Sequence, residues 1–337
     1  MLKNELGEYT GKAPAWIVDY KAAVRYLRYF SKELPGDVEK IIANGTSAGG
    51  ALSSLMGATG NHPDYATYLT EIGAADERDD IFAASCYCPI INLDNADMAY
   101  EWQFFDVNSI NDNGRDMSEF QVKISKELAA LFPQYLNRLK LKDENGNILA
   151  LDETGNGAFK EYMKQIVIKS AQKAIDDGVN VFGKKWLTVC DGKVTDMDWY
   201  GYAKDIARMK LPPAFDALTA DSPENDLFGN ELINVRHFTR YSEAKSLCDA
   251  ERAEDFIVKM LNPMNYTEDD KAEKAKHWRI RHGECDRDTS LAISAMFSLK
   301  LKAQHCEVDY HSPWNVPHTG DYDLDELFKW IDEICCR

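Results

Sequence analysis

The sequence predicts an α/β protein: a parallel sheet with helices on both faces and a large, mostly helical insertion. Three observations predict it. Short β-rich runs alternate with helical patterns at both ends of the chain, which is the order that builds parallel sheets. The middle, roughly residues 96–270, is charged, helix-rich and interrupted. Between the first β-rich run and a small-residue helix stands Gly45-Thr46-Ser47-Ala48-Gly49, a sharp strand-to-helix turn.

The elements follow in order. From Ala15 to Leu34, apolar residues recur at helical spacing (Ile17, Ala22, Val24, Leu27, Phe30) until Pro35-Gly36 ends the run. Val38 to Gly45 reads as a buried strand, and the helix after Ser47 follows it. Ile81 to Pro89, His277 to Gly283 and Cys306 to Tyr310 supply three more strands. Helical patterns cover 288–303 and 323–335. In the middle, MSEFQVKISKELAALFPQYLNRL and EYMKQIVIKSAQKAIDDG read as helices, and LKLKDENGNILALD reads as a hairpin around Asn145-Gly146. Residues 1–95 and 271–337 are therefore expected to form the core. Residues 96–270 are expected to form an inserted cap, or lid. No internal repeat or low-complexity segment is visible.

Composition narrows the function. Of 337 residues, 45% are hydrophobic, 28% charged and 11% aromatic, the profile of a core-forming globular chain. A formal net charge of −17 disfavours nucleic acid and anionic lipid as partners. No run approaches the roughly 20 apolar residues that cross a bilayer, and MLKNELGEYTGKAPAW lacks the apolar centre of a signal peptide. A cytoplasmic location is the expectation, although a missing N-terminal segment would leave room for a signal. The eight cysteines are scattered and read as reduced thiols. Cys86-Tyr87-Cys88 has no second Cys or His pair at zinc-ligand spacing, so no metal is expected.

Gly45 to Gly49 fits G-x-S-x-G, the nucleophile elbow of α/β-hydrolases. The serine hydroxyl projects from the turn, flanking glycines leave room for close backbone contact, and the N–H groups of the following helix face developing negative charge. Ser47 is the candidate nucleophile and the Ala48 N–H the first oxyanion donor. In this architecture the acid follows a late strand and the base lies in the loop after the last one. Glu284, Asp286 and Asp288 follow HWRIRHG, with the two aspartates preferred. The same acids would equally cap the helix beginning near Thr289, and spacing alone does not separate these roles. Among seven histidines, His62, His237, His277, His282 and His305 fall outside the last loop. His318 is preferred over His311 because it lies deeper in that loop and is followed by Gly320, which permits a tight turn.

These residues bring a family into view. KAPAWIVDYKAAVRYLRY, GTSAGGALSSLMGATGN, NADMAYEW, KLPPAFDAL, SPENDLFG, RHGECDRDTS and WNVPHTGDYDLDELF, in this order, resemble the bacterial tannases, the tannin acyl hydrolases that cleave gallate esters. The resemblance runs from about residue 12 to the C-terminus. It implies Ser47 as nucleophile, Asp286 as acid and His318 as base. It also implies that Lys210, Glu224 and Asp288 hold the hydroxyls of a galloyl ring, a task for which charge-assisted hydrogen bonds are suited. Without the resemblance, Lys210 and Glu224 read as an exposed salt-bridge face. A related group of tannases and feruloyl esterases carries a disulfide between a cysteine before the serine and another after the histidine. Here those positions are Thr46 and Thr319, so the chain does not resemble that group.

One departure stands out. Only one helix and its own strand precede Ser47, where the fold usually places several strands and the loop that gives the second oxyanion N–H. The sheet is therefore expected to be incomplete, with a long apolar edge at 38–43 open to self-association, and the chain to be a fragment or one part of a split protein. Two other readings follow: a general carboxylesterase or peptidase of the same fold, and an inactive piece that needs a partner chain. A serine triad implies no cofactor.

Overall fold

The computed structural model describes residues 3–110, 115–181 and 183–336. After helix α1 (Ala15–Tyr29) come strand β1 (Ile42–Thr46), α2 (Ala48–Ala58), α3 (Ala66–Glu71), β2 (Ala83–Tyr87) and α4 (Leu93–Gln103). The long connection that follows holds β3 (Ser109–Ile110), β4 (Arg115–Asp116), α5 (Glu119–Leu139), α6 (Ala158–Asp176), β5 (Leu187–Cys190), β6 (Lys193–Met197), α7 (Trp199–Ile206), α8 (Pro223–Leu227), α9 (Arg240–Ala244) and α10 (Asp255–Met260). The chain then returns as β7 (His277–Arg281), α11 (Leu291–Ala303), β8 (Glu307–His311) and α12 (Leu324–Cys335).

The main sheet has four parallel strands in the order β1-β2-β7-β8. Its register is even, with Thr46, Tyr87, Arg281 and His311 in one row at the strand ends. Every residue of β2 and β7 is buried, which suits inner strands covered by helices on both faces. Trp278 and Ile280 of β7 are fully enclosed, as are Ala295, Met296 and Phe297 of α11. Among the described residues no helix is long and apolar enough to cross a membrane.

Three expectations change in detail. The first strand begins at Ile42, because Asp37 captures the backbone of the preceding residues: its Oδ1 accepts from Glu39 N–H and its carbonyl from Lys40 N–H. The edge strand is thus five residues, IANGT, with Asn44 exposed and bonded to Asp321, and it is not a long apolar edge. Around Asn145-Gly146 the structure forms a tight turn organised by Asp143, with one bridge, Lys142 to Ile148. The fuller hairpin is β5–β6, turning at Asp191-Gly192, both at positive φ. That Asp-Gly between β-forming residues is a readable hairpin signal.

Candidate active site

The even register delivers four loops to one edge of the sheet, and each starts one residue beyond the row. Ser47 follows β1, Cys88 follows β2, the loop to Asp286 follows β7, and the loop to His318 follows β8. Such carboxyl-end crevices are where open α/β sheets collect ligands.

Ser47 sits between β1 and α2 with φ 61° and ψ −118°, a conformation that a side-chain-bearing residue adopts only when its surroundings impose it. Its N–H donates to the Tyr87 carbonyl at 2.9 Å, and its carbonyl accepts from Ala51 at 2.9 Å. A side chain at Gly45 would place Cβ 2.2 Å from the Gly49 carbonyl oxygen, so the turn requires glycine there. Gly49 itself has open space where its Cβ would be. Of the two motif glycines, only the first is needed for its missing side chain. Ala48 opens α2 and is exposed.

His318 Nε2 lies 2.8 Å from Ser47 Oγ, and its Nδ1 lies 2.8 Å from Asp286 Oδ2. Asp286 is buried, and its Oδ1 accepts the N–H of Asp288 at 2.8 Å and of Thr289 at 3.3 Å. The two readings of this acid coexist, one on each oxygen: it braces the turn into α11 and it holds the imidazole. Burial alone would raise the Asp286 carboxyl, but the His282 and His318 rings and the Asp288 amide outweigh it and hold it below the usual range. Burial pulls His318 down, yet the Asp286 hydrogen bond and the neighbouring Cys88 sulfur leave it raised.

The His318 loop is clamped to the sheet. Asp323 accepts from Tyr87 Oη at 2.5 Å and pairs with Arg279. Gly320 has no positive φ; it is needed because a Cβ there would lie 1.8 Å from Thr46 Oγ1. The glycine seats the loop against the residue before Ser47, which corrects the expectation of a tight turn. Glu284, the third candidate acid, points elsewhere: its Oε2 accepts from Asn315 N–H at 3.2 Å, and burial pushes its carboxyl up to about 7.

Four other histidines are engaged away from Ser47. His311 is exposed beside Asp309, with Nε2 at 2.9 Å. His237 is buried against Asp216 at 2.7 Å, and His62 bonds Asp269 at 3.1 Å. His282 is buried 3.5 Å from Asp286, with Nδ1 on Ser294 Oγ at 2.8 Å. Its place behind the acid was not evident from sequence spacing.

Lys210 lies between α7 and α8, its ammonium 4.1 Å from the Phe215 ring centroid. Glu224 lies in α8; burial raises its carboxyl, opposed by the charge of Lys210. Asp288 is two residues beyond Asp286. A buried tyrosine links these segments: Tyr100 accepts the N–H of Met209 at 3.0 Å and of Lys210 at 3.1 Å, and donates to the Arg287 carbonyl at 2.8 Å. Its helix neighbour Glu101 forms a fully buried pair with Arg208 at 2.6 Å, and Arg208 Nε donates to the Lys210 carbonyl at 3.0 Å. Sequence reasoning assigned neither Tyr100 nor Arg208 a role. A cavity of about 590 Å³ among Asp94, Asp97, Leu128, Arg138, Tyr241 and Lys259 touches none of the three residues Ser47, Asp286 and His318.

Comparison with known proteins agrees with this architecture. A family profile described as BD-FAE matches residues 8–98. No curated protein matches. Among solved structures, a tannase from Fusobacterium nucleatum is 48% identical with a TM-score of 0.94, over 99% of this chain and 75% of its own. A tannase from Lactobacillus plantarum is 43% identical with a TM-score of 0.95, over 99% and 75%. A tannin acyl hydrolase in complex with 3,4-dihydroxybenzoate is 45% identical with a TM-score of 0.97, over 99% and 74%.

Proposed function

Because the chain belongs to the bacterial tannases, a family of carboxylic ester hydrolases, we propose that it cleaves esters of gallate and related phenolic acids with Ser47 as nucleophile. The observation that carries this reading is the run of two 2.8 Å hydrogen bonds from Ser47 Oγ through His318 to Asp286. Complexes of similar proteins with ethyl gallate and 3,4-dihydroxybenzoate support the substrate class.

In this mechanism Ser47 Oγ attacks the ester carbonyl while His318 Nε2 takes its proton. Asp286 holds the ring through Nδ1 and stabilises the imidazolium. The Ala48 N–H at the start of α2 faces the oxyanion. His318 then protonates the departing alcohol and leaves an acyl group on Ser47. A water, deprotonated by the same nitrogen, releases the acid. Lys210, Glu224 and Asp288 hold the phenolic hydroxyls: the ammonium donates to a phenolic oxygen and the carboxylates accept from phenolic O–H groups.

The test is methyl gallate hydrolysis by the purified chain, with Ser47→Ala as control. The expected result is release of gallic acid that disappears in the variant. Equal turnover by a folded Ser47→Ala protein would remove Ser47 from the chemistry.

A further inference from the structure

We propose that Cys88, Asp286 and His318 form an inhibitory binding site for a soft divalent cation, Zn²⁺ being the simplest case. One thiol sulfur, one carboxylate oxygen and one ring nitrogen stand within 4.8 Å of one another, and Cys88 and Asp286 are buried. This is a donor set that zinc accepts, and three protein ligands leave its fourth position to water. Ligand atoms around a tetrahedral zinc stand about 3.3–3.8 Å apart, so a pair at the 4.8 Å limit needs to close by roughly 1.5 Å, while Asp286 Oδ2 and His318 Nδ1, now 2.8 Å apart, need to open by about 0.5 Å if that nitrogen is taken.

The fold sets Cys88 firmly in place. Its N–H donates to the Arg281 carbonyl at 2.6 Å, and its thiol donates to the Thr319 carbonyl, next to His318, at 3.4 Å. The acyl-transfer steps use no thiol, so this sulfur is unassigned by the reaction. Cys86 is not a partner in the site: its sulfur accepts from Ser54 Oγ at 3.3 Å inside the core. The other two ligands, Asp286 and His318, come from the loops after β7 and β8, which is why no pair at zinc-ligand spacing was visible in the sequence.

On binding, the Cys88 thiol releases its proton to solvent, Asp286 contributes its carboxylate, and His318 gives a ring electron pair to the ion. Whichever ring nitrogen is taken, His318 no longer accepts the Ser47 proton. Binding itself does not depend on the proposed function, whereas the loss of activity rests on it.

The test adds ZnCl₂ to metal-free protein and reads both methyl gallate hydrolysis and direct Zn²⁺ binding by calorimetry without substrate. Expected are one high-affinity Zn²⁺ per chain and inhibition reversed by EDTA. Cys88→Ser, compared with its own metal-free rate, should require at least about tenfold more Zn²⁺ for half inhibition, since loss of a ligand weakens a site at least as much as loss of an outer partner. Cys248→Ser, which removes an exposed thiol, should respond as wild type. Cys88→Ala serves if the serine variant fails to fold. Equal Zn²⁺ binding by wild type and the Cys88 variants, or no binding in the millimolar range, would overturn the proposal. If no variant hydrolyses methyl gallate, calorimetry still decides the site: binding lost with Cys88 keeps it while the functional reading falls.

Discussion

The phenolic hydroxyl of Tyr100 donates to the main-chain carbonyl of Arg287 at 2.8 Å while accepting the amide of Lys210 at 3.1 Å. A single oxygen on α4 thereby fixes the spacing between the segment that carries Lys210 and the loop that carries Asp288. Tyr100→Phe keeps the ring and removes the oxygen, leaving the Met209 and Lys210 amides unpaired at about 1–3 kcal/mol each. The expected outcome is a fall of about tenfold or more in kcat/KM for methyl gallate, carried by KM, with phenyl acetate little affected. Parallel losses on both esters would mean that Tyr100 serves stability alone.

Lys210→Ala and Glu224→Ala test the acyl pocket directly. Hydrogen bonds to charged groups contribute about 1.5–3 kcal/mol, so each variant should lose roughly 10- to 150-fold in kcat/KM on gallate esters. Simple acetate esters, which lack the phenolic hydroxyls, should lose far less. Equal losses would favour a general carboxylesterase.

Asp286→Asn should lower kcat by about 10⁴-fold, the scale seen when a triad acid becomes an amide. It should also move the pH profile. In the proposed mechanism His318 acts as a base when neutral, and Asp286 raises its pKa. The rising limb of kcat/KM in wild type therefore lies above the ordinary imidazole value of about 6.5, and the variant's limb moves down toward it. For stability, the depressed Asp286 contributes above the unfolded carboxyl pKa and loses this as pH falls through its folded value. The raised His318 contributes below the unfolded imidazole pKa and loses this as pH rises through its own. Urea midpoints of wild type and variant should differ most between those limits and converge outside them.

Glu284→Gln probes a carboxyl pushed up to about 7 by burial. The folded state holds this proton more tightly than the unfolded state, so wild type loses stability as pH rises from the ordinary carboxyl range through about 7. Glutamine keeps an acceptor for the Asn315 amide and has no charge to bury. From about pH 5.5 to about pH 8.5 the variant should gain roughly 2 kcal/mol relative to wild type, measured by chemical unfolding. A constant difference across that range would show that Glu284 is already ionised in the folded protein at the acid end, its carboxyl not raised.

Legibility from the sequence followed the range of the signal. β1, β2, β7 and β8 were readable as short runs alternating with helical patterns, although only β2 and β7 are buried throughout, and α5 because its periodicity is long. Ser47 was readable because its turn is local. His318 and Asp286 needed chain order, and the choice of Asp286 over Asp288 needed the family resemblance, since spacing does not reveal which carboxyl turns inward. Tyr100 and Arg208 gave no local signal, since the buried partners that hold them, Arg287 and Glu101, lie more than a hundred residues away. Cys88 was noticed in Cys86-Tyr87-Cys88 but without its neighbours, because Asp286 and His318 lie on loops far along the chain. Gly320 was noticed for the wrong reason, because a sequence records that a side chain is missing and not which neighbour occupies the space.

Ser47 and His318 stand 271 residues apart and 2.8 Å from each other. Synthesis at about 5–20 residues per second separates them by roughly 14–54 s. Under the proposed mechanism the nascent chain carries, throughout that interval, a serine with no base to activate it. The residues made in between fold beside an inert hydroxyl, and the proposed reactivity switches on only when the loop after β8 leaves the ribosome and docks on Thr46.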